Sequence, residues 1–230
     1  MMHVENRELV VPGQVIAEGD YVIQEGAFRD QKKIRAAIVG LADTRGDKLR
    51  VISLEGRYIP ESGDQVIGIV EEEYYAGWLL DINAPHPGNL TVSSLLQRKV
   101  DLGKEDISKY LNIGDVVIGK VKEVNELMKI RLEVTREDRG KVSGGRLVSI
   151  NPSRIPRVIG RKGSMISMLK KVGKCDIEVS QNGRIMVWSE DPEREKKVVE
   201  ALLMIERKAH TSGLTDRVRH FLEKEIKEVE

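Results

Sequence analysis

The sequence predicts a multidomain protein in which two all-β units precede an α/β unit with an extra C-terminal helix. Three observations lead to this fold class. Residues 1–60 contain short apolar runs separated by turn signals such as Pro12-Gly13. The pattern G-D-x-V-I-G-x-V occurs twice in the middle of the chain, and two glycines bracket two basic residues at 160–163. The predicted units are residues 1–60, 61–136 and 137–230.

The first unit is predicted to be all-β. Further turn signals lie at Gly19-Asp20, Glu25-Gly26, Arg45-Gly46-Asp47 and Glu55-Gly56. Lys33–Val39 and Lys48–Leu54 mix charged and apolar residues, as half-exposed strands do. The unit contains no cluster of His, Cys or carboxylate residues. We therefore expect a small β-barrel or sandwich that serves as a docking module.

The second unit is marked by the repeated pattern, which starts at Gly63 and again at Gly114. Each copy predicts a turn that leads into a strand, and the glycine inside each strand indicates a bend or bulge. Tyr74–Ile82 and Met128–Val134 supply further strand candidates. The whole resembles the RNA-binding domain first known from ribosomal protein S-one, which is a five-stranded OB barrel.

This resemblance implies candidate RNA contacts in the second unit. In the family, a strand with aromatic residues three positions apart offers a platform on which bases stack, and Tyr75-Ala76-Gly77-Trp78 occupies that place. The alternative is that Tyr75 and Trp78 belong to the barrel core. The family's basic residue on the last strand is present as Lys129, whereas its histidine is replaced by Thr91.

Three further candidates lie in loops of this unit. His86 lies in the Pro-rich loop after Ile82, and Arg98 and Lys99 lie in the long excursion formed by residues 97–113. A short helix is predicted from Ile107 to Leu111. Glu71-Glu72-Glu73 would repel phosphate, so any RNA path is expected on another side of the barrel.

The third unit is predicted to follow a charged, glycine-rich linker or tight connection over residues 137–145. It begins with a strand at Arg146–Ile150, a helix at Pro152–Ile159 broken by Pro156, and a helix after Ser164. Strands at Cys175–Ser180 and Gly183–Trp188 follow around the hairpin signal Asn182-Gly183, and a long helix starts at Asp191-Pro192. The order βααββα is that of a KH domain. We expect Met186 and Trp188 to pack against the long helix.

The loop between the two short helices carries the main functional prediction. It has the sequence Gly160-Arg161-Lys162-Gly163, and Ser164 is predicted to cap the following helix. Glycines let a backbone turn tightly and approach a ligand closely, and free N–H groups at a helix start attract phosphate. A GxxG loop in a KH domain clamps about four nucleotides of single-stranded nucleic acid.

The charge around this loop supports the same interpretation. The interval from Arg139 to Cys175 holds ten basic residues and no acidic ones, whereas the whole chain has a net charge of +1, so the remainder is net negative. Such a basic segment is typical of polyanion binding. Arg154 and Arg157 are added to the four loop residues as candidate RNA contacts.

After Ser212-Gly213, a last amphipathic helix is predicted from Val218, Phe221, Leu222, Ile226 and Val229. It would pack on the chain's own core or dock on a partner protein.

Several classes of function are disfavoured by composition. No apolar run approaches the roughly 20 residues of a membrane span, and residues 1–10 lack the apolar core of a signal peptide. The single cysteine excludes an internal disulfide and a cysteine-rich zinc site. No phosphate-binding loop of the G-x-x-x-x-G-K-[ST] type occurs, and the four histidines are scattered. We expect no metal, no cofactor, no catalytic activity and a cytoplasmic location.

The order of the three units resembles the RNA-binding cap subunits of the archaeal exosome, from about Val10 to Lys208. The most distinctive stretches are Val11-Pro12-Gly13, Tyr58–Gly68 and Ile155–Ile166. The second cap protein of that complex ends in a zinc ribbon, which a chain with one cysteine cannot build.

The resemblance implies a non-catalytic role in a larger complex. Three cap copies would sit on a hexameric ring of two RNase-PH-like proteins, capture single-stranded RNA and guide its 3′ end into the ring for phosphorolytic 3′-to-5′ degradation or tailing. The first unit would dock on the ring. The alternative is a free-standing RNA-binding regulator of transcription or translation, and an enzyme fragment is the least favoured hypothesis.

Overall fold

The computed structural model describes residues 2–6, 8–44, 48–53, 57–104, 106–135, 138, 140–209 and 213–227, without the side chains of Ser53, Ile226 and Lys227. The chain divides into two compact units, Met1–Gly56 and Arg57–Glu230. Each unit has its own topology and hydrophobic core. None of the described helices combines the length and the apolar character that crossing a membrane requires.

The first unit is all-β, as predicted. Its strands are β1 (Leu9–Val10), β2 (Val15–Glu18), β3 (Val22–Ile23), β4 (Ala27–Asp30), β5 (Lys33–Ala36), β6 (Gly40–Asp43) and β7 (Lys48–Ser53). They form a four-stranded sheet in the order β1-β6-β7-β3 and a three-stranded sheet in the order β2-β5-β4. Val10, Ile16, Ala36, Ala42 and Val51 form the larger of its two apolar clusters. The turns predicted at Arg45-Gly46-Asp47 and Glu55-Gly56 lie outside the described residues.

The second unit begins with a closed five-stranded barrel, which confirms the OB prediction. Its strands are β8 (Gln65–Tyr74), β9 (Gly77–Asp81), β10 (Gly88–Thr91), β11 (Val116–Val124) and β12 (Ile130–Glu133). The sheet runs in the order β12-β10-β9-β8-β11, and β12 pairs with β11 as well as with β10, which closes the barrel.

The two copies of the repeated pattern take equivalent places in this barrel. Gly68 lies on β8 and Gly119 on β11, and a Cβ at either would come within 2.8 Å of a facing strand. The predicted irregularities lie two residues later, where the register shifts at Val70/Glu72 and at Val121/Glu123. Each glycine therefore permits close packing, and the bulge that bends the strand follows it.

The segment predicted as a linker instead continues the barrel sheet. Gly140–Val142 forms β13, which pairs antiparallel with Val116–Ile118 of β11. The composition of residues 137–145 suggested a linker or tight connection and gave no sign of a strand, which forms because β12 leaves one edge of β11 unpaired at Val116–Ile118. Earlier in the barrel, Val92–Leu96 forms the short helix α1, and the predicted helix at Ile107 is a 3-10 turn, Ile107–Lys109.

The remainder of the unit has the predicted KH order βααββα. Its elements are β14 (Arg146–Ser149), α2 (Ile155–Ile159), α3 (Ser164–Gly173), β15 (Asp176–Val179), β16 (Arg184–Trp188) and α4 (Pro192–Arg207), followed by α5 (Leu214–Lys227). The antiparallel sheet has the order β14-β16-β15. Two details of the prediction were wrong. Pro156 lies in the first turn of α2 and does not break it. Ser164 is the first residue of α3 and makes no capping hydrogen bond, because Gly163 is the N-cap.

Strand β16 has two buried faces. Ile185 and Val187 belong to the core under the helices, whereas Met186 packs with Ile67 and Ile118 of the barrel. Trp188 packs against the same barrel cluster. The expectation that Met186 packs against the long helix was therefore wrong, because alternate residues of a strand point to opposite faces. Trp188 packs on the barrel cluster and also lines a surface pocket with Asp191 and Arg194 at the start of that helix.

Helix α5 packs on the chain's own core. Leu214, Val218 and Leu222 are buried in the cluster that also contains residues of α3 and α4. Val229 lies outside the described residues. The apolar face of the predicted amphipathic helix is thus covered by the protein's own core.

An ion pair joins α4 to α5 and should make this contact sensitive to pH. Lys197 Nζ lies 2.5 Å from Glu225 Oε2. This hydrogen bond lowers the pKa of Glu225 and raises the pKa of Lys197. A carboxyl group whose pKa is lowered by folding stabilises the protein, and this stabilisation is lost as the pH falls through the lowered pKa. A lysine whose pKa is raised by folding also stabilises the protein, and this stabilisation is lost as the pH rises through the raised pKa. The pair should therefore stabilise the contact between about pH 4.3 and about pH 10.4.

We expect Glu225→Gln to lower the melting temperature near neutral pH and to cause a smaller loss at acid pH, because the ion pair is lost as the pH falls through the lowered pKa of Glu225. Melting curves followed by circular dichroism at both pH values test this. Glu223→Gln is the matched control, since Glu223 is exposed and forms no ion pair with any described residue. A deficit for Glu225→Gln that is equal at both pH values would contradict the prediction.

Candidate nucleic-acid interface

The Gly160–Gly163 loop connects α2 to α3 through an unusual backbone path. Gly160 ends α2, where its N–H donates to Pro156 O at 3.0 Å, and it has φ 75° and ψ 177°. Lys162 and Gly163 both have left-handed backbone angles, at φ 52° and φ 76°. Arg161 and Lys162 are exposed. The loop thus presents two cationic side chains beside the N-terminus of α3, an arrangement suited to phosphate.

The two loop glycines are required for different reasons. A Cβ on Gly160 would lie 2.8 Å from both Met165 N and Met165 Cβ, so the helix start packs directly against this residue. A Cβ on Gly163 would meet nothing closer than Ile166 Cγ2 at 3.9 Å. Gly160 therefore allows close packing, whereas Gly163 supplies only the left-handed turn.

Part of the positive charge in the basic segment is neutralised by carboxylates. Three of its residues pair with carboxylates: Lys141 with Asp115 at 2.6 Å, Arg146 with Glu195 at 2.7 Å and Lys170 with Asp176 at 3.0 Å. Arg161 and Lys162, in contrast, form no ion pair with any described residue. The GxxG loop therefore keeps two positive charges that no described carboxylate compensates.

The remaining KH candidates lie close to the loop in sequence. Arg154 is half-buried and immediately precedes α2. Arg157 is exposed on α2, and its Nε donates to Ala209 O at 2.7 Å. That bond holds the guanidinium group against the C-terminal end of α4. Arg157 therefore has a structural role in addition to any contact with RNA.

A second surface lies on the outside of the barrel, in a groove beside β10 and β12. It brings two predicted residues together, since His86 and Lys129 both line it. Its other lining residues include aromatic, apolar and basic side chains: Tyr74, Leu79, Pro87, Asn89, Thr91, Leu127, Met128, Ile130 and Arg131. Arg131 Nη1 lies 2.7 Å from Glu123 Oε1. We call this surface the barrel groove.

Trp78 takes no part in this groove. Its side chain is fully buried among the barrel residues, and its Nε1 donates to Leu111 O at 3.2 Å. The prediction that Trp78 stacks on bases is corrected, because no face of the ring reaches solvent. The core alternative holds for Trp78.

Tyr75 is 75% exposed in the turn between β8 and β9. The neighbouring Tyr74, which the sequence analysis did not select, lines the barrel groove and donates from its hydroxyl to Asn89 Oδ1 at 2.9 Å. The adjacent pair Tyr74-Tyr75 was the signal that could have identified it, because the side chains of adjacent strand residues point in opposite directions. Tyr74 therefore replaces Trp78 as the aromatic candidate.

Thr91, which stands where the barrel family has a histidine, has a structural role. It is the N-cap of α1, and its hydroxyl accepts a hydrogen bond from Ser94 N at 3.2 Å. A residue that fixes the start of a helix in this way is only partly available to a ligand.

Arg98 and Lys99 are exposed, and Arg98 Nη2 lies 3.4 Å from Tyr110 Oη. Neither residue lines the barrel groove. Among the described residues, no group of three or more His, Cys, Asp or Glu side chains is placed to hold a metal ion.

Comparison with known proteins agrees with this organisation. Residues 7–55 match the family described as the exosome RNA binding protein RRP4 N-terminal domain, and residues 146–207 match the KH domain family. A protein of Pyrococcus horikoshii, named exosome complex component Rrp4, is 44% identical over 228 residues, covering 98% of this chain and 86% of its own length.

Two further comparisons extend over most of the chain. The Methanothermus fervidus protein of the same name is also 44% identical, over 226 residues that cover 98% of this chain and all of that protein. A crystal structure assigned to an exosome complex RNA-binding protein superposes with a TM-score of 0.73 at 35% identity, covering 76% of this chain and 100% of that chain. The chain therefore belongs to the Rrp4 family of exosome complex components.

Proposed function

We propose that this protein is a non-catalytic RNA-binding cap subunit of an exosome, which captures single-stranded RNA and guides its 3′ end into a nuclease ring. The observation that carries the proposal is the Gly160–Gly163 loop, whose two cations at the start of α3 have no carboxylate partner among the described residues. A phosphate backbone is the ligand that such a loop selects, because N–H groups and cations converge there without any feature that reads a base.

The barrel groove offers a second contact of different chemistry. Tyr74 can stack with a base, and Lys129 and Arg131 can approach the neighbouring phosphates. Stacking is worth about 1–3 kcal/mol per base and tolerates any base. Together the two surfaces favour binding that depends on single-stranded character rather than on sequence, as a general degradation machine requires.

We propose that the protein docks through its first unit on a hexameric ring of two RNase-PH-like subunits, with three cap copies per ring. The match of residues 7–55 to a domain described for exosome proteins supports docking by this unit. Co-purification with two RNase-PH-like proteins, and the native mass of the complex, test the assembly. A chain that purifies alone from its own cells would favour a free-standing regulator.

The GxxG loop provides a direct test of RNA binding. We expect Arg161→Asp combined with Lys162→Asp to weaken binding of single-stranded RNA roughly 20-fold at moderate salt, and to reduce the slope of log affinity against log salt by about 0.7 per lost phosphate contact. Affinity measured by fluorescence anisotropy over a salt series provides both values. The fold should be unaffected, because both side chains are exposed.

The matched control changes the same net charge on α5, with Arg219→Asp and Lys224→Asp, since both residues are exposed and distant in sequence from the loop. The control should shift affinity much less than the loop variant. Equal losses in both variants would mean that only net charge matters, and an unchanged slope in the loop variant would place the RNA elsewhere. Phosphate-dependent degradation by the pure protein would overturn the non-catalytic part of the proposal.

A further inference from the structure

The tip of the β15–β16 hairpin is inserted into the wall of the barrel. Asn182, at this tip, is fully buried although it is polar. Its Nδ2 donates to Ile67 O and to Ile82 O, both at 2.9 Å, and its Oδ1 accepts from Ile67 N at 3.4 Å. Its own carbonyl accepts from Asn83 Nδ2 at 2.7 Å. One KH residue therefore bridges two segments of the barrel.

The position of these bonds explains why an asparagine fits here. The pairing of β8 with β9 begins at Ile69 and Asp81, so the backbone groups of Ile67 lie beyond the last paired residue of β9. The Asn182 amide both donates to and accepts from the same residue, Ile67, as a neighbouring peptide group would. The side chain thus takes the place of a strand residue where β9 has ended.

Arg184 completes the contact with a charge. Its side chain is 7% exposed, and its Nη1 donates to Ile67 O at 3.2 Å and to Asp81 O. Its Nη2 pairs with Asp81 Oδ2. At the rim, Gln65 Nε2 donates to Glu178 Oε1 at 2.7 Å. Buried polar groups of this kind specify one arrangement of two packed surfaces, since any other leaves them unsatisfied.

We infer that Asn182 and Arg184 are positioning residues, which hold the GxxG loop and the barrel groove at a fixed separation so that one RNA strand engages both. This inference rests on the proposed function. Two linked sites bind a long ligand more tightly than either site alone, by about 10²–10⁴-fold, provided that their geometry permits simultaneous contact. The hairpin fixes that geometry, so it should affect long RNA and leave short RNA unaffected.

The experiment compares RNA of about four nucleotides, which one GxxG loop can clamp, with RNA of about 20 nucleotides, which can reach both surfaces. Asn182→Ala should weaken binding of the long RNA about tenfold, which is part of the affinity gained by linking two sites. It should change binding of the short RNA less than about twofold. Gln181→Ala at the same hairpin tip is the control and should change neither, because the Gln181 side chain is exposed.

Three outcomes would overturn the inference: equal loss for both RNA lengths, no loss for either, or the same loss in the Gln181→Ala control. Far-UV circular dichroism establishes that each variant is folded. If Asn182→Ala does not fold, Gln65→Ala combined with Glu178→Ala weakens the rim of the same contact and carries the same length test.

Failure of the inference is distinguishable from failure of the proposed function. If the loop variant with Asp at positions 161 and 162 loses RNA affinity but Asn182→Ala behaves as the wild type with both RNA lengths, only the positioning role is lost. If the wild-type protein does not bind single-stranded RNA of any length at low ionic strength, the proposed function itself is wrong.

Discussion

Trp78→Ala is expected to lower the free energy of unfolding by about 3–5 kcal/mol, the range measured for truncation of large aromatic residues in cores. Trp78 is fully buried and packs with residues from several barrel strands, so the cavity could not be filled without moving them. The change would also remove the donor to Leu111 O. Guanidinium titration followed by far-UV circular dichroism measures this loss.

Two controls separate burial from aromatic character. Trp78→Phe retains most of the ring volume and should cost less than the alanine change. Tyr75→Ala removes a neighbouring aromatic side chain that is 75% exposed, and should change stability by no more than about 0.5 kcal/mol. If Trp78→Ala left stability intact but weakened RNA binding, the ring would have to be on the surface, and the assignment of Trp78 to the core would be wrong.

Gly160→Ala is expected to destabilise the protein by about 2–4 kcal/mol and to weaken RNA binding as well. The backbone angles of Gly160, φ 75° and ψ 177°, fall in a region that costs other residues about 1–3 kcal/mol. The added Cβ would also lie 2.8 Å from Met165 N, a backbone atom that cannot move without shifting the start of α3. Thermal and chemical denaturation measure the first effect, and RNA titration the second.

Gly163→Ala is the matched control on the same loop. The alanine would have to adopt the left-handed backbone angle φ 76°, but its Cβ would meet no atom closer than 3.9 Å. The loss in unfolding free energy should therefore be only the backbone strain of about 1–2 kcal/mol. Similar losses for Gly160→Ala and Gly163→Ala would contradict the distinction drawn between close packing and turn geometry.

Features with local signals could be predicted from the sequence. Asp191-Pro192 indicated the start of α4, and Asp191 Oδ1 indeed accepts from Glu193 N at 2.9 Å. The glycines of the repeated pattern marked two equivalent barrel strands, and the spacing of Val218 and Leu222 predicted α5. Each of these signals operates over a few neighbouring residues, which is why one sequence suffices to detect it.

Features that depend on distant partners could not be predicted. Asn182 was recognised only as a turn residue, because its partner Ile67 is 115 positions away and offers backbone atoms that carry no sequence signature. The alternation of β16 indicated two faces, but not that the barrel covers the face of Met186. The aromatic pair was split because Trp78 lies on the core-facing side of β9, whereas Tyr75 lies in the turn that precedes the strand.

The barrel-facing side of β14 and β16 has a consequence for dissecting the molecule. Leu147, Met186 and Trp188 pack in one cluster with Ile67 and Ile118 of the barrel. A fragment cut at Gly145 would expose this apolar sheet to water and leave the Arg184 guanidinium without its acceptors. Such a fragment would tend to self-associate, so a fragment meant to carry the Gly160–Gly163 loop should keep the whole compact unit from Arg57 onward.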